Sequence, residues 1–294
     1  MKNLTGKTLV FTDFHIGLAG NKESRLKICI EVTKQLLKQI KTSKIDNVLF
    51  CGDWHHSRTT LDSNALNVSY KLVSAIAKCA RCILICGNHD IYLKNSTDIN
   101  SINIFKDIPN VELVTKTQEV MMNNSKCLFV PWLGDTSACK KEDYDFLFGH
   151  FDISSKYLIA SYVAEHSRDI HASNNASAAI DSDDLLRSSY DKSMDLVGDF
   201  VELSKKSGTV FAGHIHKHKE FMSKGRKFIF IGSPYQQTLG DIGNECGYYV
   251  IDEDSKYKFI EIDCVPKHVK LMMSDVIKQG VNIFDFSIVK GNIV

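Results

Sequence analysis

The sequence predicts an α/β protein, and three observations carry that prediction. Apolar, β-branched runs alternate with helical stretches over the first ninety residues. The texture changes after residue 110 to short, closely spaced strand-like pieces. Several of the apolar runs end in polar turns that carry a histidine or an acid. In order, a run at 7–11 precedes a helical stretch at about 22–41, where Ile28, Val32, Leu36 and Ile40 recur four apart. A strand near 47–51, a helix near 63–79 and a strand at 82–86 follow. This β-α-β-α-β order predicts a parallel sheet with right-handed crossovers. Beyond it, "VELV", "CLFVPW", "DFLFGH", "TVFAGHIH", "KFIFIG", "GYYVID" and "YKFIEID" read as further strands, so the second half is richer in sheet.

Bulk properties set limits. The 294 residues, 44% hydrophobic and 24% charged, suit a globular chain of one large or two modest domains. No basic n-region leads into an apolar stretch, and no run of about 18 apolar residues occurs, so neither secretion nor membrane insertion is expected and the cytosol is the default. A net charge of +1 neither favours nor excludes nucleic acid. Two basic patches, "HIHKHK" (214–219) and "KGRK" (224–227), read first as solvated faces. The nine cysteines are scattered, mostly within apolar runs, as reduced buried thiols are. Cys79 and Cys82 form a C-x-x-C, but it closes a helix and opens a strand, the reverse of a redox pair, so a structural role is expected. Residues 151–208 read as an insertion: "HASNNASAAIDSDD" (171–184) is polar and aperiodic, between expected helices near 156–168 and 193–206. His166 and His171 have no companions there and are expected on a solvated surface.

The polar endings carry the chemistry. In an open α/β sheet, ligands bind beyond the carboxyl ends of the strands, so residues placed just after strands converge on one edge. Those residues are Asp13, His15, Asp53, Asn88, His150, His214 and His216. Oxygen and imidazole donors without cysteine suit Mn, Fe or Zn better than Mg or Ca. Asp13 with His15, and His214 with His216, are i, i+2 pairs, which in an extended segment project to the same side. Seven donors exceed one tetrahedral ion but suffice for two if a carboxylate bridges them, and Asp53 is the expected bridge. Two such ions supply a nucleophile at neutral pH and polarise phosphoryl oxygens, so phosphoester hydrolysis is the expected reaction.

The motifs D-x-H, G-D-x-x-H, G-N-H-D, G-H and G-H-x-H, here Asp13/His15, "GDWHH", "GNHD", Gly149-His150 and "GHIH", resemble in that order the calcineurin-like metallophosphoesterases, over residues 7–263. The resemblance implies two packed sheets flanked by helices, an αββα sandwich over 1–263. It implies one metal on Asp13, His15, Asp53 and His216, and a second on Asp53, Asn88, His150 and His214. His89 would contact the phosphate and Asp90 would orient a neighbouring histidine. "GDWHHSR", "VPWLGD" and "IGSPYQQTLGD" further resemble the nuclease subunits of SbcC/SbcD-type repair complexes, and within them the recombination endonuclease subunits of T-even-like phages. That implies Mn2+ as cofactor, DNA as substrate, and a role for His56 in attack or leaving-group protonation. It also implies a coiled-coil ATPase partner of the SMC type, homodimerisation through the helix at about 63–80, and action in the host cytoplasm. Arg58, Lys217, Lys219, Lys224, Arg226 and Lys227 are candidate phosphate contacts, and Tyr235, in the "GSPYQQ" loop, is a further candidate substrate contact. Residues 264–294 read as the start of a cap-like segment that is cut short. The alternatives are a small-molecule phosphodiesterase or phosphatase on the same scaffold, and a partner-binding scaffold with vestigial activity.

Overall fold

The structure is a computed structural model that describes residues 1–151 and 202–268. The expected helices between 156 and 201, with His166 and His171, and the tail from 269 onward lie outside the described residues. The elements are β1 (Lys2–Leu4), β2 (Thr8–Phe11), α1 (Leu18–Asn21), α2 (Glu23–Ser43), β3 (Asn47–Cys51), α3 (Ser63–Ala77), β4 (Arg81–Ile85), a 3-10 turn (Ser101–Phe105), β5 (Val111–Val114), β6 (Gln118–Met122), β7 (Ser125–Val130), β8 (Tyr144–Gly149), β9 (Ser204–Ala212), β10 (Lys219–Ser223), β11 (Arg226–Phe230), β12 (Gly247–Ile251) and β13 (Tyr257–Glu261).

Two mixed sheets pack together. One has six strands in the order β13-β12-β2-β3-β4-β5, with β2 to β5 parallel; the other has seven in the order β1-β6-β7-β8-β9-β11-β10. The apolar runs of β2, β3 and β4 are continuous because both faces of the six-stranded sheet are covered. Alternation then sorts their side chains. Leu9, Phe11, Val48, Phe50, Cys82 and Leu84 pack under α2 and α3, while Val10, Leu49, Cys51, Ile83 and Ile85 meet Phe129, Phe146, Phe148 and Phe211 of the opposite sheet. Helix α2 lies down on the face that its spacing foretold, through Leu26, Cys29, Val32, Leu36 and Ile40. Helix α3 starts where Asp62 accepts a hydrogen bond from the Ala65 amide at 2.7 Å, satisfying one of the helix's orphan donors. All nine cysteines are free, with Cys79 exposed and Cys82 buried.

Two expectations are corrected here. The helix placed near 193–206 cannot run to 206, since β9 already begins at Ser204; the lysines and glycine of "SKKSG" hide a strand whose apolar part starts only at Thr209. Strands β1, β6 and β10 were not anticipated. β1 and β10 are edge strands of the seven-stranded sheet, and all three mix polar and apolar residues. Lys219 of the "HIHKHK" patch therefore opens a strand instead of extending a basic loop.

Candidate metal centre

The loops after β2, β3, β4, β8 and β9 meet at one edge of the sandwich. The first two are zipped together: the Phe14 and His15 amides both donate to Asp53 O, Ile16 N to Trp54 O, and His56 N to Ile16 O, all at 2.9–3.0 Å. The second and third are held by Asp90, whose buried carboxylate accepts from the amides of Asp53 (3.0 Å), His55 (3.1 Å) and Gly87 (2.9 Å). Asp90 thus anchors backbone and not an imidazole, correcting the expectation that it orients a histidine. Burial, with Asp53 nearby, pushes its carboxyl up to about 6 despite those amides. Glycines are needed where these loops touch. A Cβ on Gly52 would lie 2.3 Å from His150 Nδ1, and one on Gly87 2.2 Å from Asp53 Oδ1.

The i, i+2 pairs converge, but not by the extended geometry expected of them. Asp13 (φ 53°), His15 (φ 48°), Asp53 (φ 62°) and His214 (φ 79°) all occupy left-handed backbone. Aspartate and histidine tolerate that region better than branched residues do, yet each such residue stores strain that the surrounding bonds must hold. Gln237 Nε2 contributes by donating to Asp13 O at 2.7 Å.

All seven expected donors come together. Ligand atoms of Asp13, His15 and His216 lie within 4.8 Å of one another, as do those of Asp53, His150 and His214. Asp53 sits between the groups, with Oδ2 3.6 Å from His15 Nε2 and 3.2 Å from His150 Nε2. Asn88 Oδ1 joins the second group at 2.8 Å from His150 Nε2 and 3.1 Å from His214 Nδ1. His150 Nδ1–H donates to Cys51 O at 2.9 Å, which leaves Nε2 to face the centre, the usual arrangement of a ligating imidazole.

The first group fits a cation on its own evidence. Asp13 Oδ1 is buried and accepts no hydrogen bond, while His15 Nε2 and His216 Nε2 stand 3.7 and 3.5 Å from it and 3.1 Å from each other. A buried carboxylate oxygen without a donor, ringed by imidazole nitrogens, is what a metal ion satisfies. Electrostatics agree. Burial alone would raise the Asp13 carboxyl, yet the imidazoles of His15 and His216 hold it well below the usual carboxylate range. Burial likewise opposes ionisation of Asp53, but His150 and His15 bring it down to about 2. His150, against its own burial, is pushed up to about 9 by Asp53.

Beside the first group stand His56 and His89, their rings stacked with centroids 5.3 Å apart. His56 Nδ1 faces His15 Nδ1 at 3.3 Å, and His89 Nδ1–H donates to His56 O at 2.5 Å, so each keeps Nε2 for a ligand. Burial and the neighbouring His15 hold His56 down to about 4.

Three expected substrate contacts are not placed to serve. Tyr235 is 1% exposed, and its hydroxyl donates to Phe14 O at 2.9 Å, so it supports the loop of Asp13 and His15 from beneath. Arg226 is 6% exposed and is spent on Ser204 and Glu142. Lys227 pairs with Glu220 at 2.8 Å. Lys217 is exposed and Arg58 partly so. Missed by sequence reasoning was Trp132, whose ring lies 5.2 Å from that of His214 and 6.1 Å from that of His150. Its signal was present in "VPWLGD", at the end of an apolar run like the others.

Comparison with known proteins gives the family. The model of the calcineurin-like phosphoesterases matches residues 6–218, and the chain belongs to that family. Its members use divalent metals, and the His/Asp groups described fit such a centre. Exonuclease subunit 1 of Enterobacteria phage T4 is 22% identical over 258 residues, which is 85% of this chain and 66% of that relative. The chain therefore spans just under two thirds of that relative's length. Among solved structures, it resembles an archaeal phosphodiesterase (13% identity, TM-score 0.41, 87% of this chain and 99% of that one) and the E. coli phosphoesterase YfcE (10%, 0.37, 87% and 100%).

Proposed function

We propose that this phosphoesterase is a nuclease that hydrolyses DNA phosphodiesters at a two-metal centre, with Mn2+ as the cofactor. The observation that carries the reading is Asp53, one carboxylate oxygen of which faces the two histidine groups at once. Asp13, His15, Asp53 and His216 would hold one ion, and Asp53, Asn88, His150 and His214 the other. When bound, the ions supply a nucleophile at neutral pH and polarise the phosphoryl oxygens. The chain's own residues do the rest. His89, its Nδ1–H held by the His56 carbonyl, would donate Nε2–H to a phosphate oxygen as the imidazolium, the anionic phosphate offsetting the burial that favours the neutral ring. His56 offers Nε2 to the leaving oxygen as a hydrogen-bond donor. Trp132 closes one wall beside the second group. Arg58, Lys217, Lys219 and Lys224 are the remaining candidates for contacts to flanking phosphates.

Support for DNA comes from the phage relative named as an exonuclease subunit. The word subunit in that name also favours a partner, here a coiled-coil ATPase of the SMC type. Self-association through α3 is supported by Leu66 and Tyr70, which stand 40% and 47% exposed on it. No helix of the described residues is long and apolar enough to cross a membrane, and the host cytoplasm is the proposed place of action. The test is hydrolysis of linear duplex DNA against bis-p-nitrophenyl phosphate, with Mn2+ and with chelator. Metal-dependent cleavage of DNA is expected. Turnover of the small ester alone would move the assignment to a small-molecule phosphodiesterase, a reading that the internal pairing of Arg226 and Lys227 favours.

A further inference from the structure

One buried imidazole in the centre's immediate surroundings has no part in the chemistry above. His55 follows the bridging Asp53 by two residues, is 0% exposed, and lies stacked on Phe105 with ring centroids 5.8 Å apart. Both its ring nitrogens are engaged: Nδ1 lies 2.7 Å from Ser101 Oγ and Nε2 2.8 Å from Ser69 Oγ. Ser69 belongs to α3 and Ser101 opens the 3-10 turn. Trp54 Nε1–H, which can only donate, also donates to Ser69 Oγ at 2.8 Å. Each serine hydroxyl can give or accept a proton, so the neutral His55 ring donates to one serine and accepts from the other, whichever nitrogen carries its proton. The chain closes on itself, because the Ser101 amide donates to Asp90 O at 2.7 Å and Asp90 Oδ1 accepts from the His55 amide.

We propose that His55 is a positioning residue: through Ser69 and Ser101 it locks the loop bearing Asp53 and His56 onto α3 and the 3-10 turn, and so sets the bridging carboxylate between the two metal positions. The inference rests on the two-metal reading and adds a residue that acts through Asp53 without touching an ion. Physically, the loop needs such a clamp because Asp53 is held in left-handed backbone, which relaxes unless its neighbours over-determine it. Asp90 fixes the amides of Asp53 and His55; the His55 ring fixes the loop against rotation about them.

The test counts Mn2+ ions bound to the full chain by the electron paramagnetic resonance of free Mn2+, with folding followed by circular dichroism. Ser101→Ala, at a partly buried position, and His55→Gln are expected to fold and to weaken the more weakly held ion by about tenfold or more, the effect typical of lost outer-shell partners. Ser101→Thr, which keeps the hydroxyl, is expected to bind as wild type does. A downfield ring N–H proton signal of His55 is expected in the wild type and shifted or lost in Ser101→Ala. Wild-type affinity for both ions in folded Ser101→Ala and His55→Gln would overturn the role of His55. A wild-type chain that binds fewer than two Mn2+ would instead overturn the two-metal reading, and this inference with it.

Discussion

Asp53 does three things, two with its side chain and one with its backbone. Oδ1 accepts from the His89 amide at 2.7 Å, Oδ2 faces His15 and His150, and the backbone amide is tied to Asp90. Asp53→Asn keeps the shape but halves the ligating charge, so it is expected to abolish binding of one Mn2+, weaken the other, and lower hydrolysis by more than the ~10- to 100-fold that outer-shell changes produce. Calorimetric titration with Mn2+ beside the DNA assay checks both. His89→Ala is expected to behave differently, with Mn2+ binding intact and turnover down by about 10²- to 10⁴-fold, as for a lost group at the reacting phosphate. An unchanged rate would remove His89 from the chemistry. His150 sets the pH dependence. Its imidazole, raised to about 9 in the folded chain, must lose a proton to ligate, so Mn2+ affinity is expected to climb with pH up to about 9, with proton release measurable in buffers of different ionisation enthalpy. Without metal the sign reverses for stability. A folded value above the unfolded ~6.5 stabilises fully below that pH, and the contribution is lost as pH rises through 9.

At the scale of elements, the loop after β4 acts as a clasp. Three amides from two loops point at one carboxylate, so Asp90→Asn presents an amide group to donors and is expected to lower stability by on the order of 3 kcal/mol, read from urea unfolding monitored at the two tryptophans. An unfolding midpoint equal to that of the wild type would show that the amides find other partners. The helices and the central strands were legible because their signals are local. Periodicity of four marked α2, and uninterrupted apolar runs marked β2, β3 and β4. Edge strands β1 and β10 were not legible, for an edge strand buries little and needs no clean pattern. The left-handed backbone at Asp13, His15, Asp53 and His214 was equally hidden, since the alternation rule assumes an extended chain.

For the whole molecule, the core between the sheets is aromatic, with the Phe148 and Phe211 rings stacked at 5.0 Å. Phe148→Ala is expected to lose about 3–5 kcal/mol of stability, measurable by urea unfolding, and its strand delivers His150, so metal affinity should fall with it. On the outside, Leu66→Glu with Tyr70→Glu is expected to shift any self-association towards monomer in light scattering without altering Mn2+ binding; an unchanged mass would move the interface elsewhere.

All seven proposed metal donors were readable from the chain alone, because chemistry after a strand's carboxyl end is placed by the topology of any open α/β sheet. Which lysines, arginines and tyrosines remain available for substrate was decided only in three dimensions. Arg226, Lys227 and Tyr235 look like candidates until their partners Ser204, Glu142, Glu220 and Phe14, distant in sequence for all but Lys227, are seen to hold them. The role of Asp90 and the clamp around His55 belong to the same class. Long-range hydrogen bonds join residues with no periodic relation, so no local pattern announces them.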